Sequence, residues 1–378
     1  MLKQQSKNEN PYIIEFDGYR AVAVIAVMLI HWGILGIGWI GVQMFFVLSG
    51  YLISANLLRE KSEINNIGLY LKNFYWKRVL RLFPAYYLYV LVFLMIGLFI
   101  GREDILKLFI PLITYTINIY ALAINHADTA GVGHFWSLGV EEQFYLLWPI
   151  LVFFISYNVF RKFLLVLIFI GPIIRGLLFV WASYISNSSH YIGEFIYMLP
   201  FGQIDAFAIG ASLAFFSWEH IKRPKLIFFL VSCIVFFLGC LNGYLLLSDN
   251  LINKTNWFNI VSSFGFPHLM LANYQYVWGY TALNLVFGLL ILCILKKENP
   301  FPFFNNSILV YIGKISYGIY IFHVPVLVLI RKVFKGKFLS VEGILFMVTY
   351  FLLTFLLAHV SYKYYEKRFL TLKKKISK

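Results

Sequence analysis

Several ionisable side chains lie inside apolar stretches of this sequence, where a charge is costly enough to indicate a function. Arg20 and His31 are eleven residues apart, so on a helix they project from nearly the same face, about 16 Å apart along the axis. A guanidinium at the membrane edge and a deeper imidazole suit a ligand that is anionic at one end and reactive at the other. A topology-setting arginine and a histidine bonded to a neighbouring helix explain the pair equally well.

A second cluster contains His134, Trp136 and Ser137, followed by the adjacent carboxylates Glu141 and Glu142. Adjacent helical residues point about 100° apart, so one carboxylate can face a cavity while the other caps the helix or pairs elsewhere. An acid near a helix N-terminus is stabilised by the helix dipole, which accounts for Glu141. Glu142 lies deeper and needs a partner. A glutamate that orients a histidine makes that histidine a competent general base.

A basic cluster contains Lys77, Arg78 and Arg81, just before the third apolar stretch. Arg78 and Arg81 are three residues apart and are therefore neighbours on one helical face. Because arginine binds phosphate through two parallel hydrogen bonds, this cluster predicts a phosphate clamp. The positive charge of a cytoplasmic loop explains it equally well.

Two further sets of polar residues lie within apolar stretches. Asp205 and Arg175 both fall in mid-span, where an ion pair between them is favoured over Asp205 neutralising one of the other arginines. Ser316, Tyr320 and His323 are spaced i, i+4 and i+7, so they form a polar stripe on one helical face. The stripe suits a substrate cavity, although hydrogen bonds between spans explain it as well.

Composition defines the elements that must position these residues. The chain has 378 residues, of which 61% are apolar and 13% charged, against about 45–50% and about 25% in soluble domains. These values exclude a cytosolic enzyme, a disordered tail and, with three cysteines in apolar runs, a disulfide scaffold or zinc motif. No metal site is predicted. The charge of +15 is attributed to cytoplasmic loops rather than to nucleic-acid binding.

The apolar runs predict an all-α membrane protein with ten transmembrane helices and both termini in the cytoplasm. The predicted spans are 20–38, 39–58, 84–100, 137–157, 163–182, 195–216, 226–247, 276–295, 308–330 and 341–361. The run 105–124 contains Lys107, Pro111 and Asn118 and is interpreted as re-entrant or interfacial. This topology places 23 Lys and Arg residues inside and seven outside, in agreement with the positive-inside rule. Residues 1–378 are expected to form one membrane domain with no appended soluble domain.

Taken together, these motifs resemble the membrane-bound acyltransferase-3 family over about residues 13–370. The resemblance is carried by Arg20-x10-His31, Phe45–Tyr51, Lys77-Arg78-x-x-Arg81, His134-x-Trp136-Ser137, Val140–Tyr145, Asp205-Ala206-Phe207, Ser316-Tyr317-x-Ile319-Tyr320-x-x-His323 and Tyr365-Glu366-Lys367. It implies an enzyme that takes an acyl group, usually acetyl, from cytoplasmic acyl-CoA to a hydroxyl of a cell-envelope glycan outside. Acyl-CoA is then a donor substrate, and no tightly bound cofactor is expected.

The resemblance also assigns roles by position. Arg20, Arg78 and Arg81 contact the CoA phosphates, His31 is the catalytic base and Glu142 supports it. Lys77 stands where the pattern usually has an arginine, so its contribution to CoA binding lacks the bidentate fork. The candidate cavity, acceptor or oxyanion residues are Gln43, Ser49, His134, Trp136, Ser137, Glu141, Asp205, Ser316, Tyr317, Tyr320 and His323.

The resulting hypothesis is a multi-pass enzyme of the cytoplasmic (inner) membrane whose partners are acyl-CoA, an envelope glycan and the bilayer. His31 deprotonates the acceptor hydroxyl, which attacks the thioester; the sequence leaves a covalent acyl-enzyme and the oligomeric state open. The rival hypothesis is a proton-coupled transporter or glycan flippase that uses the buried residues His31, Glu142, Asp205 and His323 as a proton relay.

Overall fold

The computed structural model describes residues 12–124, 129, 131–248, 257–269, 271–334 and 340–376, and these contain helices and no strand. The α-helices are α1 (Glu15–Trp32), α2 (Ile40–Glu63), α3 (Ile67–Phe99), α4 (Glu103–Leu106), α5 (Phe109–Ile113), α6 (Ile117–Ala123), α7 (Trp136–Phe154), α8 (Tyr157–Ile185), α9 (Ser189–Met198), α10 (Ile204–Phe215), α11 (Pro224–Ser248), α12 (Trp257–Ser262), α13 (Gln275–Leu295), α14 (Ser307–Lys314), α15 (Ser316–Val333), α16 (Val341–Ser361) and α17 (Lys367–Ile376). The all-α prediction is therefore confirmed.

Within the described ranges, seven helices are long and apolar enough to cross a membrane. They contain α2, α3, α8, α11, α13, α15 and α16. A bent pair, Ser189–Met198 with Pro200–Phe215, makes an eighth if it is one span broken by its 69° bend. The predicted count of ten stays a prediction, because α1 has the length of a span but contains the charged residues Glu15, Asp17 and Arg20.

The region 105–124, interpreted from the sequence as re-entrant or interfacial, contains no continuous helix. It forms α4, α5 and α6, which have four, five and seven residues. At about 1.5 Å per residue, none of these helices reaches across a hydrocarbon layer of about 30 Å. Tyr86 and Tyr87 of α3 donate hydrogen bonds to the carbonyl oxygens of Leu112 and Ile113, so the region is fixed against a long helix.

The most extensive helix contact in the bundle joins α2 and α10, and two glycines make it close. A Cβ atom at Gly50 would overlap the carbonyl oxygen of Phe207, and one at Gly210 would overlap that of Val47. Small residues permit this approach of two backbones within a membrane. One wall of the cavity described below, on α2, is consequently held at a fixed distance from α10.

The predicted ion pair between Arg175 and Asp205 is present, and neither side chain is exposed. Arg175 Nη1 and Nη2 donate to the two Asp205 carboxylate oxygens at 2.9 and 3.0 Å. The guanidinium also donates to Thr281 Oγ1 and to the carbonyl oxygens of Gly202 and Val277. The pair therefore joins α8, α10 and α13 at the level of the α9–α10 bend.

Candidate active site

A cavity of about 530 Å³ lies between α1, α2, α3, α7, α14, α15 and the segment that joins α16 to α17. Most of its apolar lining comes from α2, and most of its polar lining comes from the other elements. The polar and charged lining residues are Tyr12, Asp17, Arg20, Ser49, Asn56, Arg78, Arg81, Ser137, Glu141, Tyr145, Lys314, Ser316, Tyr317, Tyr320, Tyr362 and Glu366. The sequence motifs of α1, α3, α7 and α15 therefore converge on one space.

The three predicted arginines all line this cavity, in different states of pairing. Arg20 forms an ion pair with Asp17, one turn earlier on α1. The Arg78 guanidinium lies over the ring of Tyr145, 5.1 Å from its centroid, and Arg81 is exposed. Across the described residues, neither Arg78 nor Arg81 has a hydrogen-bonded or ion-paired partner, so both can bind an anion in the cavity.

Lys77, the fourth predicted phosphate contact, does not line the cavity. It forms an ion pair with Glu60 of α2, on the other side of its helix. This difference follows from helix geometry, because residues one apart point about 100° away from each other and Arg78 already faces the cavity. The sequence could not show that a glutamate of α2 lies on the Lys77 side.

The two adjacent glutamates of α7 face different surroundings. Glu141 lines the cavity and accepts a hydrogen bond from Ser49 Oγ at 2.6 Å. Glu142 is half-buried outside the cavity lining. No hydrogen bond or ion pair joins Glu142 to His31 in the described part of the chain, and of the two adjacent glutamates only Glu141 lines the cavity.

Two hydroxyl groups of the cavity wall contact each other and the backbone of His134. Ser137 Oγ lies 2.5 Å from the Tyr320 hydroxyl, and that hydroxyl donates to the backbone oxygen of His134 at 2.8 Å. The side chains of Ser137 and Tyr320 line the cavity. His134 does not line it and contacts the wall through its backbone oxygen. Both hydroxyl protons are engaged in these contacts, so either hydroxyl must give up its present bond before it donates to a group in the cavity.

Three imidazoles are stacked edge to face beyond that wall. The His323 ring centroid lies 4.9 Å from that of His31 and 5.0 Å from that of His134. His31 Nδ1 lies 2.8 Å from the Val27 carbonyl oxygen. Because a carbonyl only accepts, this contact assigns the proton of a neutral His31 to Nδ1 and leaves Nε2 with a free lone pair. His31 thus has the tautomer that a general base acting through Nε2 requires.

The ring nitrogens of His323, on α15, are arranged like those of His31. Its Nδ1 lies 2.6 Å from the Tyr320 carbonyl oxygen, and its Nε2 is buried without a hydrogen-bond partner. None of the three histidines lines the cavity itself. In the ranges that the structure describes, no group of three His, Cys, Asp or Glu residues is arranged to hold a metal ion.

The remaining predicted residues divide between the cavity and the surrounding core. Ser316 and Tyr317 line the cavity, and the Tyr317 hydroxyl donates to the Leu82 carbonyl oxygen at 3.1 Å. Outside it, Gln43 donates to Gln203 Oε1 at 2.7 Å. Asp205 is paired with Arg175, and Trp136 packs on Tyr197 with 4.5 Å between ring centroids. Gln43, Asp205 and Trp136 therefore hold helices around the cavity rather than line it.

Seven polar or charged cavity residues were not predicted as site residues from the sequence: Tyr12, Asp17, Asn56, Tyr145, Lys314, Tyr362 and Glu366. Asp17 could have been found, because it precedes Arg20 by three residues and an acid and a base at that spacing meet on a helix. Lys314 lines the cavity from α14, and its Nζ lies 5.7 Å from the centroid of the Tyr12 ring. Glu366 belongs to the Tyr365-Glu366-Lys367 motif, but the sequence assigned it no role.

Comparison with known proteins agrees with this arrangement. A family model described as "Acyltransferase domain", of the acyltransferase-3 family, matches residues 13–363. The chain is 27% identical over 380 residues to "Putative O-acetyltransferase SACOL0978" of Staphylococcus aureus strain COL, covering 95% of this chain and 57% of that protein. It is 28% identical over 385 residues to "O-acetyltransferase OatA" of S. aureus strain NCTC 8325 / PS 47, covering 97% of this chain and 58% of the relative.

The chain thus spans a little over half the length of these curated relatives. No solved structure matches it. The family model covers nearly the whole chain, and the motif residues Arg20, Arg78, Arg81, Glu141, Ser137 and Tyr320 meet in one cavity. The chain belongs to the acyltransferase-3 family of membrane proteins.

Proposed function

We propose that this chain transfers an acetyl group from cytoplasmic acyl-CoA to a hydroxyl group of a cell-envelope glycan on the outer side of the membrane. The observation that carries the proposal is the cavity itself, which joins unpaired guanidinium groups to the hydroxyl wall next to three histidines. Membership of the family and the names of the two relatives support an acyltransferase over a proton-coupled transporter or flippase.

The guanidinium groups supply the donor site. The phosphates of CoA cannot enter hydrocarbon cheaply, so they stay at the end of the cavity where Arg78 and Arg81 have no other ion-pair partner among the described residues. Arg20 joins them when a phosphate replaces part of its contact with Asp17. The pantetheine arm then extends along α1, on which Arg20 and His31 lie about 16 Å apart.

The histidine and hydroxyl groups supply the transfer step. His31 Nε2 takes the proton of the acceptor hydroxyl while the hydroxyl oxygen attacks the thioester carbonyl carbon. The carbon–sulfur bond then breaks, and the CoA thiolate takes the proton back from the imidazolium. The hydroxyls of Ser137 and Ser316 face the cavity and stabilise the oxyanion, a role typically worth about 2.7–4 kcal/mol per donor. Because Ser137 Oγ is in contact with the Tyr320 hydroxyl, this contact must break before Ser137 donates to the oxyanion.

Membrane sidedness provides the experiment that tests this function. Inverted membrane vesicles expose their cytoplasmic face, so impermeant acetyl-CoA labelled in the acetyl group is added outside them. We expect ester-linked label on glycan enclosed in the vesicles, released by mild base and absent from vesicles that lack the chain. Label appearing equally in both preparations, or only as free acetyl-CoA transported inside, would refute the transferase.

The proposed orientation has both termini at the cytoplasmic face of the inner membrane. Cysteine accessibility in intact cells tests it, with single cysteines at the exposed positions Tyr12 and Arg102. We expect the residue at 102 to react with an impermeant reagent and the residue at 12 to be protected. Reaction at position 12 alone would mean that the cavity opens to the outside.

A further inference from the structure

A buried carboxylate at the cavity wall has no use in the proposed transfer. Glu366 is 6% exposed and lines the cavity. Its Oε1 accepts a hydrogen bond from Ser361 Oγ at 2.7 Å, and the described residues offer it no ion-pair partner. A buried carboxylate has several acceptor positions, of which one is used here. Glu366 therefore has acceptor capacity left for a donor inside the cavity.

The backbone around Glu366 is unusual as well. Residues Tyr362–Glu366 form a π-helical turn between α16 and α17. Such turns are rare and occur frequently at functional sites, because an extra residue in the turn redirects the side chains that follow. Here Tyr362 and Glu366, at the two ends of the turn, both line the cavity. This geometry is a second observation, independent of the carboxylate's burial.

The neighbours of Glu366 determine which donor fits. Tyr317, Tyr362 and Leu370 line the same cavity and provide aromatic and apolar surface. Arg81, which interacts electrostatically with Glu366, provides a positive charge on the adjacent wall. A flat base that stacks on aromatic side chains and donates from an exocyclic amine to a carboxylate matches this set, with its phosphate on the arginine.

We propose that Glu366 recognises the adenine base of the acyl-CoA donor by accepting a hydrogen bond from its exocyclic amine. This inference rests on the proposed function, because it takes CoA as the donor. Glu366 is thereby a specificity-determining residue for the donor, on the cavity wall shared with Tyr317 and Tyr362. The competing role is a counter-charge for Arg81, in which the negative charge of Glu366 matters but its hydrogen-bonding geometry does not.

A CoA analogue with a different base of the same size distinguishes adenine recognition from the counter-charge role. The purified full chain in lipid nanodiscs is titrated with CoA and with a CoA analogue in which hypoxanthine replaces adenine, so that a carbonyl oxygen stands in place of the amine. For the wild type we expect CoA to bind about 10–100-fold more tightly, the range for a lost hydrogen bond to a charged group. Glu366→Gln offers an amide that both donates and accepts, so the ratio of the two affinities should fall to within a few-fold of one.

Glu219→Gln is the matched control, because Glu219 is an exposed carboxylate outside the cavity, and it should keep the wild-type ratio. A wild type that binds both ligands within twofold would overturn the inference. A Glu366→Gln variant that loses affinity for both ligands equally would also overturn the inference, because equal losses are expected if Glu366 acts only as a counter-charge for Arg81. A wild type that binds neither ligand would instead refute the proposed function, and the inference with it.

Discussion

Replacing Asp205 by alanine tests whether this carboxylate holds the fold or takes part in the reaction. The change leaves the Arg175 guanidinium fully buried with its charge uncompensated, while its contacts to Gly202, Val277 and Thr281 remain. Removing one partner of a buried ion pair typically costs about 3–5 kcal/mol. With a shift of about 2–4 °C per kcal/mol for domains of about 150–250 residues, we expect an apparent melting midpoint at least about 6 °C lower.

The assay is thermal unfolding of the purified chain in one detergent, followed by intrinsic fluorescence and by the fraction that stays monodisperse. Asp205→Asn keeps one acceptor oxygen for Arg175 but removes the charge and turns the second acceptor into a donor, so it should lie between Asp205→Ala and the wild type. The reasoning is refuted if Asp205→Ala unfolds at the wild-type temperature. Lost acetyl transfer at unchanged stability would place Asp205 in the reaction instead.

Three further predictions concern the cavity and use the vesicle assay. His31→Ala should lower the rate of transfer by about 10²–10⁴-fold, the usual contribution of a general base, and leave CoA binding unchanged. The control variant His220→Ala, at an exposed position, should transfer at the wild-type rate. Wild-type ester content with His31→Ala would contradict this role. Arg78→Ala should raise the KM for acetyl-CoA about 10–100-fold, because a charge-assisted phosphate contact is lost, and an unchanged KM would return Arg78 to a topological role. Tyr320→Phe removes the hydroxyl that fixes the His134 backbone and should lower kcat about 2–10-fold at constant KM; a changed KM with constant kcat would contradict that reading.

Sequence patterns were sufficient for two features of the structure. The spacing of Ser316, Tyr320 and His323 predicted a shared face; Ser316 and Tyr320 line the cavity, and His323 lies outside its lining. The mid-span placement of Asp205 and Arg175 predicted an ion pair, which is present. In each case, helical periodicity or the cost of an unpaired charge in a membrane left few alternatives.

The sequence was insufficient where the neighbouring helix decides. Glu141 and Glu142 differ by one residue, and only the position of Ser49 on α2 shows that Glu141 is the carboxylate bonded at the cavity wall. The sequence predicted that Lys77 and Arg78 both bind CoA, and only the ion pair of Lys77 with Glu60 of α2 shows that Lys77 faces away from the cavity. Pairing across a bundle depends on how each helix is rotated, and spacing along one helix contains no information about that rotation.

The glycine contact between α2 and α10 has a consequence for how the protein is made. Gly50 and Gly210 are 160 residues apart. At about 5–20 residues per second, roughly 8–32 s of synthesis separate the two halves of the contact. During that interval α2 is already in the membrane with a backbone groove that only α10 fills. Nascent chains released before Gly210 is inserted should therefore be selective substrates of membrane proteases, whereas chains released just after α10 should persist.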